Sequence, residues 1–522
     1  MSYLLSIVTW LPLLGAILVL CVPEKSLRAA RTLAFGTAAV AFALSVFVAT
    51  RFQGGSHALQ MVEHAKWIES AGVSYFLAID GISLWLVPLT SLLTIIALGF
   101  STYVEQRTKL FMALILMLET AMLGSFLSFD LILFYTFFEL SLVPMYFMVS
   151  IWGGERRQYA AAKFFIYTFA GSIFMLVGMV TLAYLHQRVT GQWSFNLVEI
   201  QQQVANGALW AGMVQAQVLV FWSFAVAFLI KAPAFPFHTW IPDTYAESPI
   251  AGPILSSVMV KMGTYGMLRF CLPLFPDVVQ DQIPYIMALA VIGILYGGIL
   301  AAVQTDMRRM LAYSSLSHMG FVILGIFSLD HLGLVGGSYQ QLSHGVTASA
   351  LFLLVGYLLQ RCGTSNFKAF GGLKAQMPTF ATLFLISMLA SVGLPGLSGF
   401  IGEFFSLMGA YRSGYGGVAG LSTIYVVLAG GGVVLSAVYL LYMFQQVFYG
   451  PITFSMNARL RDLKSWEVGL AASLVALMIW GGIAPSTFTR PMEPSLNAVR
   501  SMALHDKNVT WANESQQVAL NR

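Results

Sequence analysis

The stretch FLIKAPAFPFHTWIPDTYAESP, residues 228–249, places a lysine and two prolines inside otherwise apolar sequence. The apolar run 214–232 leads into it and is long enough to enter a bilayer. Pro233 and Pro236 stop a regular helix and free backbone carbonyls at membrane depth. Such a break survives only where protein or a water-filled cavity lines it. Lys231 stands at the break, where a charge costs at least ~2.5–3.5 kcal/mol on insertion scales and therefore calls for a reason. Burial disfavours the charged lysine and a nearby carboxylate favours it, so the position is a switchable proton site. The bland reading is a lysine that snorkels to the interface; the adjoining break argues against it.

The composition around this stretch sets the class. Of 522 residues, 58% are hydrophobic and 9% charged, against roughly 25% charged in a soluble domain. Lipid is the natural solvent for such a chain. We expect an all-α integral membrane protein with spans near 3–22, 30–50, 80–101, 110–128, 131–151, 162–186, 214–232, 252–272, 284–304, 309–329, 338–360, 379–410, 421–449 and 467–487, about fourteen in all. Residues 1–20 lack the positive start of a signal peptide and read as a retained first span. The pieces 51–79 and 187–213 and the tail after the last span read as extramembrane. The tail carries Arg490, Glu493, Arg500, Asp506, Lys507 and Glu514 and is expected along a membrane surface or a neighbouring subunit. The Asn-x-Ser/Thr triplets at Asn508 and Asn513 read as chance.

A net charge of +5 without a basic block gives no support to nucleic-acid binding. Cys21, Cys271 and Cys362 stand far apart and form no cysteine ligand set, and no phosphate loop, dinucleotide fingerprint or HExxH motif is present. No redox cofactor, nucleotide or metal is expected in this chain. Alternate loops give sixteen Lys and Arg to one side and nine, Arg269 among them, to the other. The richer side is expected to be cytoplasmic, which puts both termini outside, on the periplasmic side of a bacterial membrane. Of the 27 basic residues only Lys231 and Lys261 are left inside spans.

The intramembrane titratable residues are few. Glu139, in FYTFFELSLVPMYF (134–147), is expected to pair with Lys231. Lys261 lies in SSVMVKMGTYGMLRF (256–270), where Ser257, Gly263 and Thr264 allow water or another helix to approach. Glu403 lies in SVGLPGLSGFIGEFFSL (391–407), whose glycines and Pro395 make a second broken helix. His318 and His344, with Ser314 and Thr347 a turn away, fit either core histidines or shuttles between the two breaks. Glu119 has no nearby break and reads as structural. Asp80, Asp130 and Asp306 fall at span ends, where solvent is expected to reach them.

The breaks occupy matching places. Residues 1–108 hold three spans, 109–272 a five-helix unit, 284–450 a second such unit, and 451–522 the last span and tail. Each unit is broken in its fourth member, and an odd number of helices makes the second unit inverted relative to the first. Discontinuous helices in inverted repeats mark ion paths in many transporters. In this topological sense Lys231 corresponds to Glu403.

The stretches FELSLVPMYFMVSIWGG, KAPAFPFHTWIPD, KMGTYGMLRF, YSSLSHMGF, LSHGVTASALFLLVG and LPGLSGFIGEF, in this order from residue 138 to residue 404, resemble the antiporter-like membrane subunits of proton-pumping NADH:quinone oxidoreductase, respiratory complex I. Glu403 is similar to the M (chain 4) type, since the L and N types have lysine there. The resemblance implies an ion pair Glu139–Lys231 in a first half-channel, a central lysine at Lys261, a polar axis through His318 and His344, and an outlet at Glu403. It implies flavin and iron–sulfur clusters in partner subunits, and two homologous antiporter-like subunits among the membrane-arm partners. Thr244–Tyr245 replace the Ala–His that many relatives carry, so a role at the second of those positions is not implied. Related families offer two alternatives: a multi-subunit sodium/proton antiporter and the photosynthetic ferredoxin–plastoquinone relative. A spacer without transport is a third reading, disfavoured by the intramembrane charges.

Overall fold

The computed structural model describes residues 3–414, 421–452, 454, 457–506 and 509–511. The triplets at Asn508 and Asn513, with Lys507 and Glu514, lie outside the described residues. Among the described residues twelve helices are long and apolar enough to cross a membrane, from Leu4–Cys21 to Ser465–Ile483. Two more crossings are interrupted. One runs through Ala251–Met259, Lys261–Gly266, a π-helical turn Met267–Cys271 and Leu272–Leu274; the other through Pro378–Val392 and Ser398–Arg412. Together they make the fourteen expected spans. The bilayer fixes the length of each crossing, and charged or Pro/Gly-rich flanks fix its ends.

The segment 51–79 holds structure that hydropathy does not report. Strand β1 (Gln60–Ile68) pairs antiparallel with β2 (Val73–Ile79), Lys66 opposite Ser74. The turn closes at Gly72 (φ 70°), where a Cβ would meet the Trp193 carbonyl at 2.0 Å. The β-branched and aromatic residues of VSYFLAI and this glycine were the available signal. Glu63 on β1 reaches the start of the first span and accepts from the amides of Leu5 (2.7 Å) and Ser6 (3.0 Å). That helix has no cap of its own, and a carboxylate at its N-terminus satisfies otherwise orphaned donors.

The tail helix Ser486–Ala503 packs one face on its own bundle. Met492, Leu496, Val499 and Met502 are buried. Ser495 Oγ accepts from Gly81 N (3.0 Å), Arg500 Nε donates to the Leu329 carbonyl (2.6 Å), and Asn497 Oδ1 meets His331 Nδ1 (2.7 Å). Leu59 N donates to the Trp511 carbonyl (3.4 Å), so the start of the first span, the hairpin and Trp511 share one face.

This cover changes two residues assigned to that face. Asp80 is not solvated, and Arg269 is not a surface charge. Both side chains are 0% exposed and paired, Arg269 Nη2 to Asp80 Oδ1, at 2.7 Å. The guanidinium also donates through Nε to Tyr265 OH (3.2 Å) and stacks over Phe129 and Trp511 at 4.5 and 5.3 Å. Hairpin and tail seal the end of the span, so a position near the membrane face becomes interior. Asp130 is buried too: Oδ1 caps the helix from Leu131, and Oδ2 accepts from Ser74 N (2.9 Å) and Oγ (3.0 Å). Asp306 caps Met307–Phe327 and accepts from Ser365 Oγ.

Breaking one side of a buried pair leaves an uncompensated charge and costs about 3–5 kcal/mol, whereas replacing both partners by apolar residues costs little. Arg269→Met or Asp80→Leu alone is therefore expected to destabilise the subunit by about that amount. The double replacement is expected to recover most of it, as measured by thermal unfolding of the detergent-solubilised protein.

Candidate functional site

The first break separates Val214–Lys231 from Trp240–Glu247. The carbonyl of Ile230, freed by the prolines, accepts from Trp240 Nε1 (2.9 Å), and Ala234 N donates to Leu229 O (2.8 Å). A Cβ at Gly263 would lie 2.6 Å from Phe228 O and 2.7 Å from Ala232 N. Glycine there lets the helix carrying Lys261 press directly on the broken backbone. At the opposite end of the break Asp243 pairs with Lys163 (2.8 Å) and stands 3.9 Å from Arg309.

Lys231 is buried, with Nζ donating to Ser141 Oγ (2.8 Å) and standing 4.6 Å over the Phe138 ring. The expected Glu139–Lys231 ion pair is not formed. Phe138 and Ser141, three residues apart, share a helix face that Glu139 does not occupy. Glu139 is half-buried and stands beside Ser172 on the neighbouring helix Arg157–Thr190, within electrostatic reach of Lys231 but without contact.

The other four residues are joined. Lys261, 0% exposed, places Nζ 2.6 Å from His344 Nδ1 and 3.5 Å from Met319 Sδ. An ammonium has no acceptor, so at this distance one of the two nitrogens must offer a lone pair and the contact holds a single shared proton. The rings of His344 and His318 lie 5.6 Å apart. His318 Nδ1 meets Glu403 Oε1 at 2.7 Å, and its Nε2 meets Ser391 Oγ at 3.2 Å. The helices Met307–Phe327 and His331–Cys362 thus carry two imidazoles from the central lysine to the second broken span.

That span begins over Asp462, whose carboxylate accepts from Thr379 N (2.8 Å) and Phe380 N (3.0 Å). Partial burial pushes the Asp462 pKa up, but the amides of Leu463, Thr379 and Phe380 outweigh it and hold it below the usual value. The break spans 393–397, with Gly393 and Gly396 at φ 82° and 93°. Glu403 sits in the half-helix after this break, whereas Lys231 precedes the other break by one residue; their correspondence is topological only. Glu403 Oε1 also accepts from Gln340 Nε2 (3.2 Å), while Oε2 faces Gly393, where a Cβ would come within 3.2 Å of it. One oxygen is held by the histidine arm and the other looks into the break.

The sequence reading passed over Gln340, Ser141 and Ser391. Gln340 was visible as a polar pair, Gln340–Gln341, a turn before His344 in an apolar span. Ser141 and Ser391 carried no signal beyond their type. Glu119 is 0% exposed, and neither of its oxygens has a hydrogen-bond partner. Among the described residues no three His, Cys, Asp or Glu side chains are placed to hold a metal ion.

The profile described as "NADH:quinone oxidoreductase/Mrp antiporter, TM" matches residues 128–429, which takes in every residue of this axis. The chain belongs to that family. A relative in it, NADH-quinone oxidoreductase subunit M of Rickettsia felis, is 38% identical over 503 residues, 95% of this chain and 98% of the relative. A chain of respiratory complex I from Thermus thermophilus superposes with a TM-score of 0.84 at 32% identity, covering 96% of this chain and 99% of that one. A chain of the Mrp complex from a Dietzia strain shares the fold at a TM-score of 0.79 and 19% identity, covering 96% of this chain and 52% of that one.

A hydrogen bond to a charged group is worth about 1.5–3 kcal/mol. Gln340→Leu removes one of the two donors on Glu403 Oε1 and is expected to lower proton-coupled turnover roughly tenfold. The Glu403 carboxyl band in infrared difference spectra should move with it. Gln340→His, which restores a donor, should recover part of both.

Proposed function

We propose that this chain is a proton-translocating membrane-arm subunit of an NADH:quinone oxidoreductase, of the M type. The observation that carries the reading is the line Lys261–His344–His318–Glu403, four titratable side chains in contact or ring-to-ring range inside an apolar bundle. A structural role needs no such line, because isolated paired charges would serve.

In this reading a proton enters from the positive-rich face toward the first break. Arrival of charge or water at that break draws Lys231 from Ser141 toward Glu139, and water within the break carries the proton on to Lys261. Lys261 gives it to His344 Nδ1; His344 releases its other ring proton from Nε2, water between the two rings carries that proton to His318 Nε2, and His318 passes its Nδ1 proton to Glu403 Oε1. Release follows from Oε2 into the break at Gly393, on the side of the membrane that holds both termini. Quinone reduction in distant subunits supplies the drive, and the flavin and iron–sulfur clusters belong to partners, among which are two homologous antiporter-like subunits. The chain lies in a bacterial cell membrane with both termini periplasmic. The family profile takes in the Mrp antiporter as well, but the Mrp chain itself, at 19% identity, supports the exchanger alternative at the level of fold alone, against 38% identity to a subunit M.

Lys261→Met removes the titratable group that meets His344 Nδ1. Lys231→Met removes the inlet charge. In the assembled enzyme in vesicles, each is expected to lower proton pumping and coupled quinone reduction at least roughly tenfold, the effect typical of losing one proton-transfer group. Electron transfer from NADH to a soluble acceptor should be unchanged. Full pumping in Lys261→Met would remove the axis from the proton path.

A further inference from the structure

Away from the axis, the bundle leaves a cavity of about 220 Å³ among the helices Leu27–Arg51, Leu86–Gly99, His331–Cys362 and Ser465–Ile483. Phe42, Val46, Leu89, Leu342 and Val346 make its walls almost wholly apolar. It opens sideways, where Val46 and Trp480 are 39% and 50% exposed. An apolar cavity of even about 150 Å³ stays dry and takes apolar guests.

The cavity lies toward one membrane face and spans about two thirds of one leaflet's ~15 Å of hydrocarbon. Trp85 and Leu89 lie at the start of their helix, and Trp480 and Gly481 at the end of theirs, all toward the face that carries hairpin and tail. Along His331–Cys362 the wall runs from Tyr339 to Val346, roughly 10 Å at 1.5 Å per residue. Trp85 and Trp480 stand where amphipathic rings meet headgroups.

Charge at the mouth tells what the guest carries. Arg51 follows Val46 by five residues, and Arg490 follows the lining residue Phe488 by two. Their segments meet, since a Cβ on Gly54 would lie 3.3 Å from Pro491 Cα. Both arginines are exposed, and neither forms an ion pair among the described residues.

We propose that this cavity holds one acyl chain of an anionic phospholipid whose phosphate sits at Arg51 and Arg490. Its inner end reaches Ser343 and Ser398, whose hydroxyls bond each other at 2.9 Å. Ser343 adjoins His344, and Ser398 opens the half-helix that carries Glu403. The chain therefore seals the polar axis on its lipid side. The inference stands on the cavity and its mouth, independently of the direction in which protons move.

The test uses the assembled complex, reconstituted with phosphatidylglycerol bearing a photoactivatable group midway along one chain. After irradiation, label is expected on the peptides containing Leu89 and Val346. Arg51→Ala with Arg490→Ala should reduce it at least roughly tenfold, and the phosphatidylcholine analogue should label as weakly as that variant. Val46→Trp, which fills the mouth from a lipid-exposed position, should abolish labelling without changing assembly. Equal labelling by the two headgroups, or labelling that persists in Val46→Trp, would overturn the site. Absence of label in the intact complex would mean that a neighbouring subunit fills the cavity, and would overturn it as well.

Discussion

Inside this bundle the surrounding hydrocarbon supplies a charged side chain with no partner, so most of the buried charges, Glu119 excepted, find theirs within the protein. The structure meets that requirement in two different ways. Toward the membrane faces two carboxylates with 0% exposed side chains are paired with arginines, Asp80 with Arg269 and Glu467 with Arg361, the latter at an Nη2–Oε2 distance of 2.5 Å. A guanidinium keeps its proton in any protein environment, so these pairs are fixed. Tyr103 also bonds Glu467, and Trp511 covers Arg269, which closes both clamps further. At mid-depth the partners are lysine, histidine and glutamate, all of which can gain or lose a proton. Permanent charge brackets the molecule, and exchangeable charge runs through its centre.

The backbone obeys the same rule. Each broken span would leave unpaired carbonyls and amides in hydrocarbon if its neighbours did not close on it. At the first break Trp240 turns back to Ile230, and Gly263 brings a second helix against Phe228 and Ala232. At the second, Gly399 faces the Ala390 carbonyl, and Gly482 of the last span faces Gly396. A side chain at any of these glycines would push the neighbour off the break. Small residues thus do for the interrupted backbone what ion pairs do for the side chains, and titratable groups stand beside both breaks.

Much of this was legible in the sequence, for definite physical reasons. The fourteen crossings follow from hydropathy because the bilayer dictates their length. The breaks follow from Pro233, Pro236, Gly393 and Pro395, whose effects are local. Lys231, Lys261 and Glu403 stand out because charge is rare in spans. The partners were not legible. Lys231 meets Ser141 rather than Glu139 because helix faces, set by three-dimensional packing, decide which of two nearby residues looks inward. Asp80 and Arg269, 189 positions apart, are brought together by a hairpin and a tail that hydropathy describes only as extramembrane. Composition marks the residues that need a partner; only the fold says which partner each one gets.

The difference between the two halves of the axis has a meaning of its own. From Lys261 to Glu403 the groups touch or nearly touch, and Glu403 turns its free oxygen toward the second break. Between Lys231 and Lys261 no contact is made, and Lys231 is held aside by a neutral serine. A protein that moves protons against a gradient must never offer a continuous path between both faces at once, since such a path would dissipate what the pump builds. One connected arm and one disconnected arm in a single conformation satisfy that condition. The missing Glu139–Lys231 pair then belongs to the design of the proposed cycle: its formation would free Lys231 from Ser141 and open the inlet at the moment the outlet contacts let go.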